Sequence, residues 1–393
     1  MKILQVIPVF SDIFGGPVSV VRSLSKELAK RHEVTIYTTT ALDLKHDIEP
    51  KEEVRNNYRV IYFPRTFQSL NYSYLFGQLN FSLSMMNAVK KNLTNFDIIH
   101  LHSYRQFPDL LVHYYATKYN VPYILQAHGS LPRMMTKQSL KWIYDELFGY
   151  KLLKDAAKII ALNTVEFEQY RDFSVPTDKI VIVPNGIDLS DFTNMPEKGE
   201  FKKKYGLNED EKIILYLGRI HKIKGIDILI KAFKEVIDTL DCVKLVLVGP
   251  DDGYLNEIKD LIKKLGLEKN IIITGALFGK EKFMAYVDAD IFVLPSRYEI
   301  FPVSVLEAFS CGIPVIASNV GGLRGLILDG ETGLLFESEN IEQLANNILS
   351  LINDKEKNRI ISINGKQFIN DNLSIERVTE VLENCYKEII KSN

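Results

Sequence analysis

Short apolar runs alternate with segments of helical period along the whole chain, and the series occurs twice. Few folds accept that order. An apolar run buried on both faces needs parallel neighbours, and parallel neighbours need crossover helices. In the first series strands are expected at 3–8, 33–39, 58–63, 97–101, 123–126, 158–162 and 180–183. Helices are expected between them near 18–31, 74–91, 106–119, 138–153 and 164–171. The stretch 191–200 (DFTNMPEKGE) carries neither period and reads as a linker. A second series follows, with strands at 212–217, 244–248, 270–274, 290–294, 314–317 and near 333–336. Its helices are expected near 225–239, 254–265, 280–287, 303–311, 341–353 and 354–369, with one more amphipathic segment at 374–390. The reading is an α/β protein of two doubly wound, Rossmann-like domains, residues 1–190 and 191–373. Two such domains facing each other would leave a cleft at the carboxyl ends of their strands.

Composition narrows the function. The chain has 393 residues, 46% of them hydrophobic, which suffices for two cores. A formal charge of −2 and a pI near 6.4 imply no nucleic-acid partner. Cys242, Cys311 and Cys385 are an odd number without metal-ligand spacing, so all three are expected as small core residues in a reducing, cytoplasmic setting. No leader or membrane-spanning run is read from the sequence.

The stretch from Ser296 to Gly322 (SRYEIFPVSVLEAFSCGIPVIASNVGG) concentrates the chemistry. It lies between two apolar strands and holds Glu299 and Glu307. Val303 begins a short helix that ends before Gly312. Glu299 then sits in the loop feeding the helix N-terminus, where backbone N–H groups are unpaired, and Glu307 lies on the helix. Such a strand-to-helix loop suits anionic or hydroxyl-rich ligands. Ile300, Phe301 and Val303 offer backbone amides there, whereas Pro302 has none.

The loop Gly218–Gly225 (GRIHKIKG) follows the first strand of the second series and places Arg219 and Lys224 together, two cations suited to a departing diphosphate. A solvated basic loop is the plain alternative. Gly249 opens the next strand-to-helix loop. In the first series Gly15 and Gly16 follow the first strand, where backbone could approach a ligand closely. No G-x-G-x-x-G is present, which counts against a nicotinamide oxidoreductase. His128 follows a strand directly. His102 ends another, while His100 within it reads as core packing. Asp288-Ala289-Asp290 spells D-x-D but leads into a strand instead of following one, so it reads as structural and no metal is expected. The segments 72–91 and 137–154 mix aromatics, Met and Lys. They read as helices docked on the sheet, with a membrane-surface helix as the alternative.

E-x7-E followed by A-x-x-C-G-x-P-V-x-A-S-x-x-G-G resembles the signature of family four glycosyltransferases, retaining enzymes of the GT-B fold, with G-R-x-x-x-x-K-G resembling their pyrophosphate site. The resemblance implies that Glu299 and the amides after it hold the donor hexose, and that Glu307 holds the ribose. By the same resemblance Gly249 lies where base and ribose pack, Gly15 and Gly16 lie near the phosphates and acceptor, and His128 touches the sugar. It implies that segment 374–393 packs back on the first domain. Glycine usually follows the first acid in that family, and here it is Ile300. The function implied is transfer of a hexose from a UDP- or GDP-sugar to a hydroxyl acceptor, a glycan or lipid-linked glycan of cell-surface polysaccharide or glycolipid synthesis, with retention and without metal or cofactor. A GT-B epimerase and a non-catalytic sugar-nucleotide sensor are the alternatives. A peripheral contact at the inner membrane face is a further expectation.

Overall fold

The apolar runs become strands in a computed structural model, which describes residues 1–42, 46–66, 80–133 and 138–392. The chain divides into two compact units, Met1–Gly186 with Ile375–Asn393, and Ile187–Ser374.

The strands of the first unit are β1 (Lys2–Val6), β2 (Glu33–Thr39), β3 (Glu52–Arg55), β4 (Tyr58–Phe63), β5 (Ile98–Leu101), β6 (Tyr123–Gln126), β7 (Lys158–Ala161) and β8 (Ile180–Ile182). They form one sheet in the order β3-β4-β2-β1-β5-β6-β7-β8. Every pairing is parallel except β3 with β4. The strand β3 was not expected from the sequence. It lies at the sheet edge and is mostly exposed and charged, so it lacks the apolar run that marks the others. Asn56 and Asn57 close its hairpin, both at positive φ, a conformation asparagine tolerates.

Period two along the strands divides the sheet faces. Ile3 pairs with Ile98 and Gln5 with His100, and His100 pairs in turn with Ile124, so Ile3, Gln5, Ile98, His100, Ile124 and Gln126 share one face of β1, β5 and β6. Ile3, Ile98, Ile124 and Ile160 share a core with Val378, Leu382, Cys385 and Tyr386 of the C-terminal helix Ile375–Ser392. That helix therefore covers a face that is apolar toward the start of the strands and polar toward their carboxyl ends.

The second unit contains β9 (Lys212–Leu217), β10 (Val243–Val248), β11 (Ile271–Gly275), β12 (Ile291–Leu294), β13 (Val315–Ser318) and β14 (Leu334–Phe336). All are parallel, in the order β11-β10-β9-β12-β13-β14. The order reverses between β9 and β12, and loops leaving adjacent strands there diverge and open a crevice. In the first unit the equivalent reversal lies between β1 and β5. Both loops rich in candidate residues, 218–225 and 295–302, leave the β9/β12 reversal point.

Several expectations shift in detail. The expected helix 74–91 is described only from Leu83 to Asn92, with Ser82 accepting from the Met85 amide at 3.3 Å; residues 74–79 lie outside the described residues. The expected linker 191–200 holds a 3-10 turn, Leu189–Phe192, and its end starts a short helix, Glu200–Tyr205. Asp288 fixes that helix, its carboxylate accepting from Gly199 N at 2.5 Å and Lys202 N at 2.9 Å. Asp290 accepts from Ile213 N and Lys212 Nζ, each at 2.9 Å. Both acids of the D-x-D are thus occupied in holding the fold. Cys242 is exposed, contrary to the expected core position, because it lies in the turn just before β10; Cys385 is buried.

Candidate active site

In the second unit the loop after β9 is shaped by its glycines. Gly225 has φ of +65°, and a Cβ there would sit 1.9 Å from the Pro295 carbonyl oxygen. The two loops at the reversal point can approach this closely only because residue 225 has no side chain. Arg297 N donates to Ile223 O at 2.7 Å. The Arg297 guanidinium makes paired bonds to Asp227 at 2.8 and 2.9 Å and reaches Lys222 O at 2.7 Å and Glu339 at 2.6 Å. Asp227 and then Glu339 raise the Arg297 pKa further above its ordinary value.

That clamp brings Lys224 to Glu299. Lys224 ends the 3-10 turn Lys222–Lys224, whose start is capped by His221 accepting from Ile223 N at 3.1 Å. Lys224 Nζ donates to Glu299 Oε1, and Ser296 Oγ donates to the same oxygen at 2.8 Å. The Glu299 backbone is cradled from behind. Gly322 N donates to its carbonyl at 3.0 Å, and a Cβ on Gly321 would meet that carbonyl at 2.1 Å. This explains the first of the two glycines that end the motif, Gly321.

Glu307 lies one element away, on the helix Val303–Ser310. It accepts from Lys282 Nζ at 2.7 Å and from Tyr286 OH at 2.9 Å. Glu299 and Glu307 are each only 8% exposed. Ile300 is buried, and Phe301 packs against the core of this unit. Val303 is the first residue of the helix and Pro302 its cap.

Arg219 differs from Lys224. Its guanidinium is 55% exposed and bonds Asp252 of the loop after β10. That loop is stitched to the first: Gly218 N donates to Val248 O, Ile220 N to Pro250 O and Asp252 N to Ile220 O, at 2.8–3.0 Å. Gly249 permits the approach, since a Cβ there would lie 1.8 Å from Gly218 O.

In the first unit Gly15 is in the left-handed region at φ +73° and caps the helix Gly16–Leu28, with open space where its Cβ would be. His102 and His128 come together: His102 Nδ1 is 3.1 Å from His128 Nε2, with the rings stacked at 5.4 Å. Gln5 Oε1 bonds His102 Nε2. His100, fully buried, stacks on His102 and bonds Tyr386 OH at 2.8 Å. Burial holds all three imidazoles neutral, His128 to about 4 and the other two well below the usual value. His128 itself is in the left-handed region, φ +49°. Its turn is pinned by the helix Thr164–Asp172: Tyr170 OH accepts from Ala127 N at 3.0 Å, and Glu166 accepts from Gly129 N at 2.7 Å and Leu162 N at 2.8 Å. Burial outweighs those bonds and pushes the Glu166 carboxyl up to about 7.

Next to this turn Asp145 is a buried hub for Tyr104, Arg105 and Arg133, at 2.7–2.9 Å. It opens a π-helical turn, Asp145–Gly149, that interrupts the expected helix 138–153. The outer side of this segment leaves Leu140, Trp142, Ile143, Leu147 and Phe148 exposed, Leu147 by 64%.

Residues 14–191 match the family Glycosyltransferase Family 4, and residues 197–368 match Glycosyl transferases group 1. The alpha-monoglucosyldiacylglycerol synthase of Streptococcus pneumoniae is 30% identical over 361 residues, covering 85% of this chain and 76% of its own. The chain belongs to the family 4, group 1 glycosyltransferases. Among other relatives of this glycosyltransferase, the N-acetyl-alpha-D-glucosaminyl L-malate synthase of Bacillus anthracis is 24% identical, covering 96% of this chain and 95% of its own. The crystal structure of Anabaena Alr3699/HepE in complex with UDP and glucose matches with a TM-score of 0.80 at 19% identity, over 99% of this chain and 100% of that one. The fold is GT-B.

Sequence reasoning singled out the acids, cations and histidines of this glycosyltransferase but not the residues that place them. Ser296, Arg297, Lys282, Tyr286, Gln5 and Tyr386 carry no motif of their own. One signal was readable: Gln5, inside the apolar strand β1 (KILQV), is a polar residue on a buried face and needs a partner.

Proposed function

We propose that this glycosyltransferase moves a hexose from a nucleoside-diphosphate sugar to a hydroxyl acceptor with retention. The observation that carries the reading is the Lys224–Glu299–Ser296 cluster at the β9/β12 reversal point. Glu299 and the amides of Ile300, Phe301 and Val303 would take the sugar hydroxyls. Lys224 and Arg219 would face the diphosphate, Glu307 the ribose, and the loop at Gly249 the base. Gly15, Gly16, His102 and His128 are assigned to the acceptor and sugar.

In the reaction the bond from the anomeric carbon to the diphosphate oxygen breaks, and the acceptor oxygen bonds to the same face of that carbon. The departing diphosphate gathers negative charge, and Lys224 stabilises it by leaving Glu299 in part for the phosphate. The acceptor proton passes to the diphosphate oxygen, so no separate strong base is required. Because the neighbour bound to UDP supports a nucleotide-sugar donor, UDP-glucose, UDP-galactose, UDP-N-acetylglucosamine and GDP-mannose form the first panel. Acceptor-dependent release of UDP or GDP, with mass analysis of the glycosylated product, tests the reading. Sugar-nucleotide consumption without any acceptor would point to an epimerase instead.

The exposed face Leu140–Phe148 supports a lipid-linked acceptor presented at a membrane surface. Apolar side chains there, with Lys151 and Lys154 in the next turn, suit the boundary of an anionic bilayer. Co-sedimentation with anionic vesicles, lost in Trp142→Ser/Leu147→Ser, tests this. No helix among the described residues is long and apolar enough to cross a membrane.

A further inference from the structure

The two acids of the second unit are held in different ways. On Glu299 both donors, Lys224 Nζ and Ser296 Oγ, meet the same oxygen, Oε1. On Glu307 the donors are divided. Lys282 Nζ donates to Oε1 at 2.7 Å, and Tyr286 OH donates to Oε2 at 2.9 Å. An ionised carboxylate offers about two acceptor positions on each oxygen. Glu307 therefore keeps one open position on each of its two oxygens, and both belong to one planar group.

Both donors come from one side of one helix. Lys282 and Tyr286 are four residues apart on the helix Gly279–Asp288, a spacing that stacks side chains on one face. The Tyr286 ring is fully buried, 5.9 Å from the ring of Phe292 in β12. Its hydroxyl also lies 3.2 Å from Ser304 O, one turn before Glu307. A phenol has one hydrogen, and the nearer, charged carboxylate takes the larger share of it. Lys282 Nζ lies over the Phe283 ring at 5.2 Å, and Phe283 meets Phe192 edge-on at 5.3 Å. Packing thus restrains both donors, and the donors restrain both carboxylate oxygens.

Folding alone does not call for such a cluster. Apolar side chains of similar size in place of a buried ion pair often leave stability equal or better. The cluster also reaches the surface: the Glu307 side chain is 10% exposed and that of Lys282 is 23% exposed.

We infer that Lys282 and Tyr286 are positioning residues that fix Glu307 as a two-pronged acceptor for the vicinal hydroxyls of a ribose. A vicinal diol matches the fork, because one O–H can meet each oxygen. The ribose as ligand rests on the glycosyl-transfer reading; the division of the donors between the two oxygens does not.

The test is isothermal titration of UDP, GDP and ADP, each beside its 2′-deoxy and 3′-deoxy counterpart, into wild type, Lys282→Met and Tyr286→Phe. With the diphosphate that binds the wild type most tightly, loss of either hydroxyl should weaken binding about tenfold, the effect of one charge-assisted hydrogen bond. In each folded variant that preference should shrink to about threefold or less, because the carboxylate is no longer held in register with both hydroxyls. A purely structural cluster would lower the melting temperature and leave the preference at its wild-type size. Tyr286→Phe keeps the ring that fills the core, and the wild-type preference needs no variant to fold. A wild type indifferent to either hydroxyl, or folded variants with the wild-type preference, would overturn the inference and leave diphosphate binding standing. No binding of any diphosphate to the wild type would instead remove the glycosyl-transfer reading, and the ribose with it.

Discussion

In the second unit each candidate charge is met by an opposite one: Lys224 by Glu299, Glu307 by Lys282, Arg219 by Asp252. In the first unit the candidate side chains His102 and His128 are neutral and held by hydrogen bonds and stacking. The contrast assigns them different work. Under the proposed function, ion pairs at a loop-lined strand end keep charges available, because an arriving diphosphate would replace one partner with another at little net cost in charge separation. Buried neutral groups cannot trade charge; they fix geometry and proton position. The second unit should therefore respond to charge substitution and salt, and the first to changes in hydrogen bonding.

Lys224→Ala is expected to break the contrast most. Turnover should fall about 10²–10³-fold, the usual loss when a cation facing developing charge is removed. The variant should still melt cooperatively. Wild-type turnover in that folded variant would remove Lys224 from the charged side. Next in size is Gly225→Ala. Its Cβ would collide with Pro295 O and sit at a positive φ. The expected loss is about 1–3 kcal/mol of stability, with reduced turnover because the loops separate. Calorimetry showing no change would mean the close approach is not needed.

The first unit gives a pH test. Burial raises the Glu166 pKa from 4.5 to about 7. A raised folded-state pKa means the folded protein holds a proton that the unfolded chain has lost. That contribution is complete below the unfolded value near 4.5 and is lost as pH rises through about 7. Glu166→Gln cannot titrate. Its stability relative to wild type should therefore improve by roughly 2–3 kcal/mol between pH 4.5 and pH 8. A pH-independent difference in denaturant melts would show that Glu166 ionises normally.

Two smaller effects sharpen the comparison. Arg219 is half exposed and its pair with Asp252 contributes little to folding. Arg219→Ala should leave the melting temperature unchanged and raise the donor KM about tenfold, as one charge-assisted bond to phosphate is lost. His128 is held to about 4 by burial. The pH profile of kcat/KM should then show no inflection near 6.5 from an imidazole; an inflection there that vanishes in His128→Asn would place a normally titrating histidine in the reaction.

The same contrast explains what was legible in the sequence. Glu299, Arg219 and Lys224 stand in loops just after apolar strands, Glu307 lies on the helix that follows, and the E-x7-E spacing and glycines announce them. Their partners are scattered. Arg297 looks like any surface arginine until Asp227 and Glu339, 70 and 42 residues away, close on it. The histidine cluster is harder still, because Gln5 meets His102 only when β1 pairs with β5, and Tyr386 reaches His100 only when the C-terminal helix covers the sheet. The strand β3 was missed for the opposite reason: an exposed edge needs no apolar pattern. The π-helical turn at Asp145 was missed because its cause is tertiary, the hub of Tyr104, Arg105 and Arg133.

The central claim is that the loops at the β9/β12 reversal hold a nucleoside diphosphate through Lys224. Isothermal titration of UDP, GDP and ADP into wild type and Lys224→Ala tests it most directly. The account predicts that one of the three diphosphates binds the wild type in a salt-sensitive manner and binds Lys224→Ala at least about tenfold more weakly, the loss of one charge-assisted hydrogen bond. Equal affinity in the two proteins, or no binding of any diphosphate to the wild type, would contradict it.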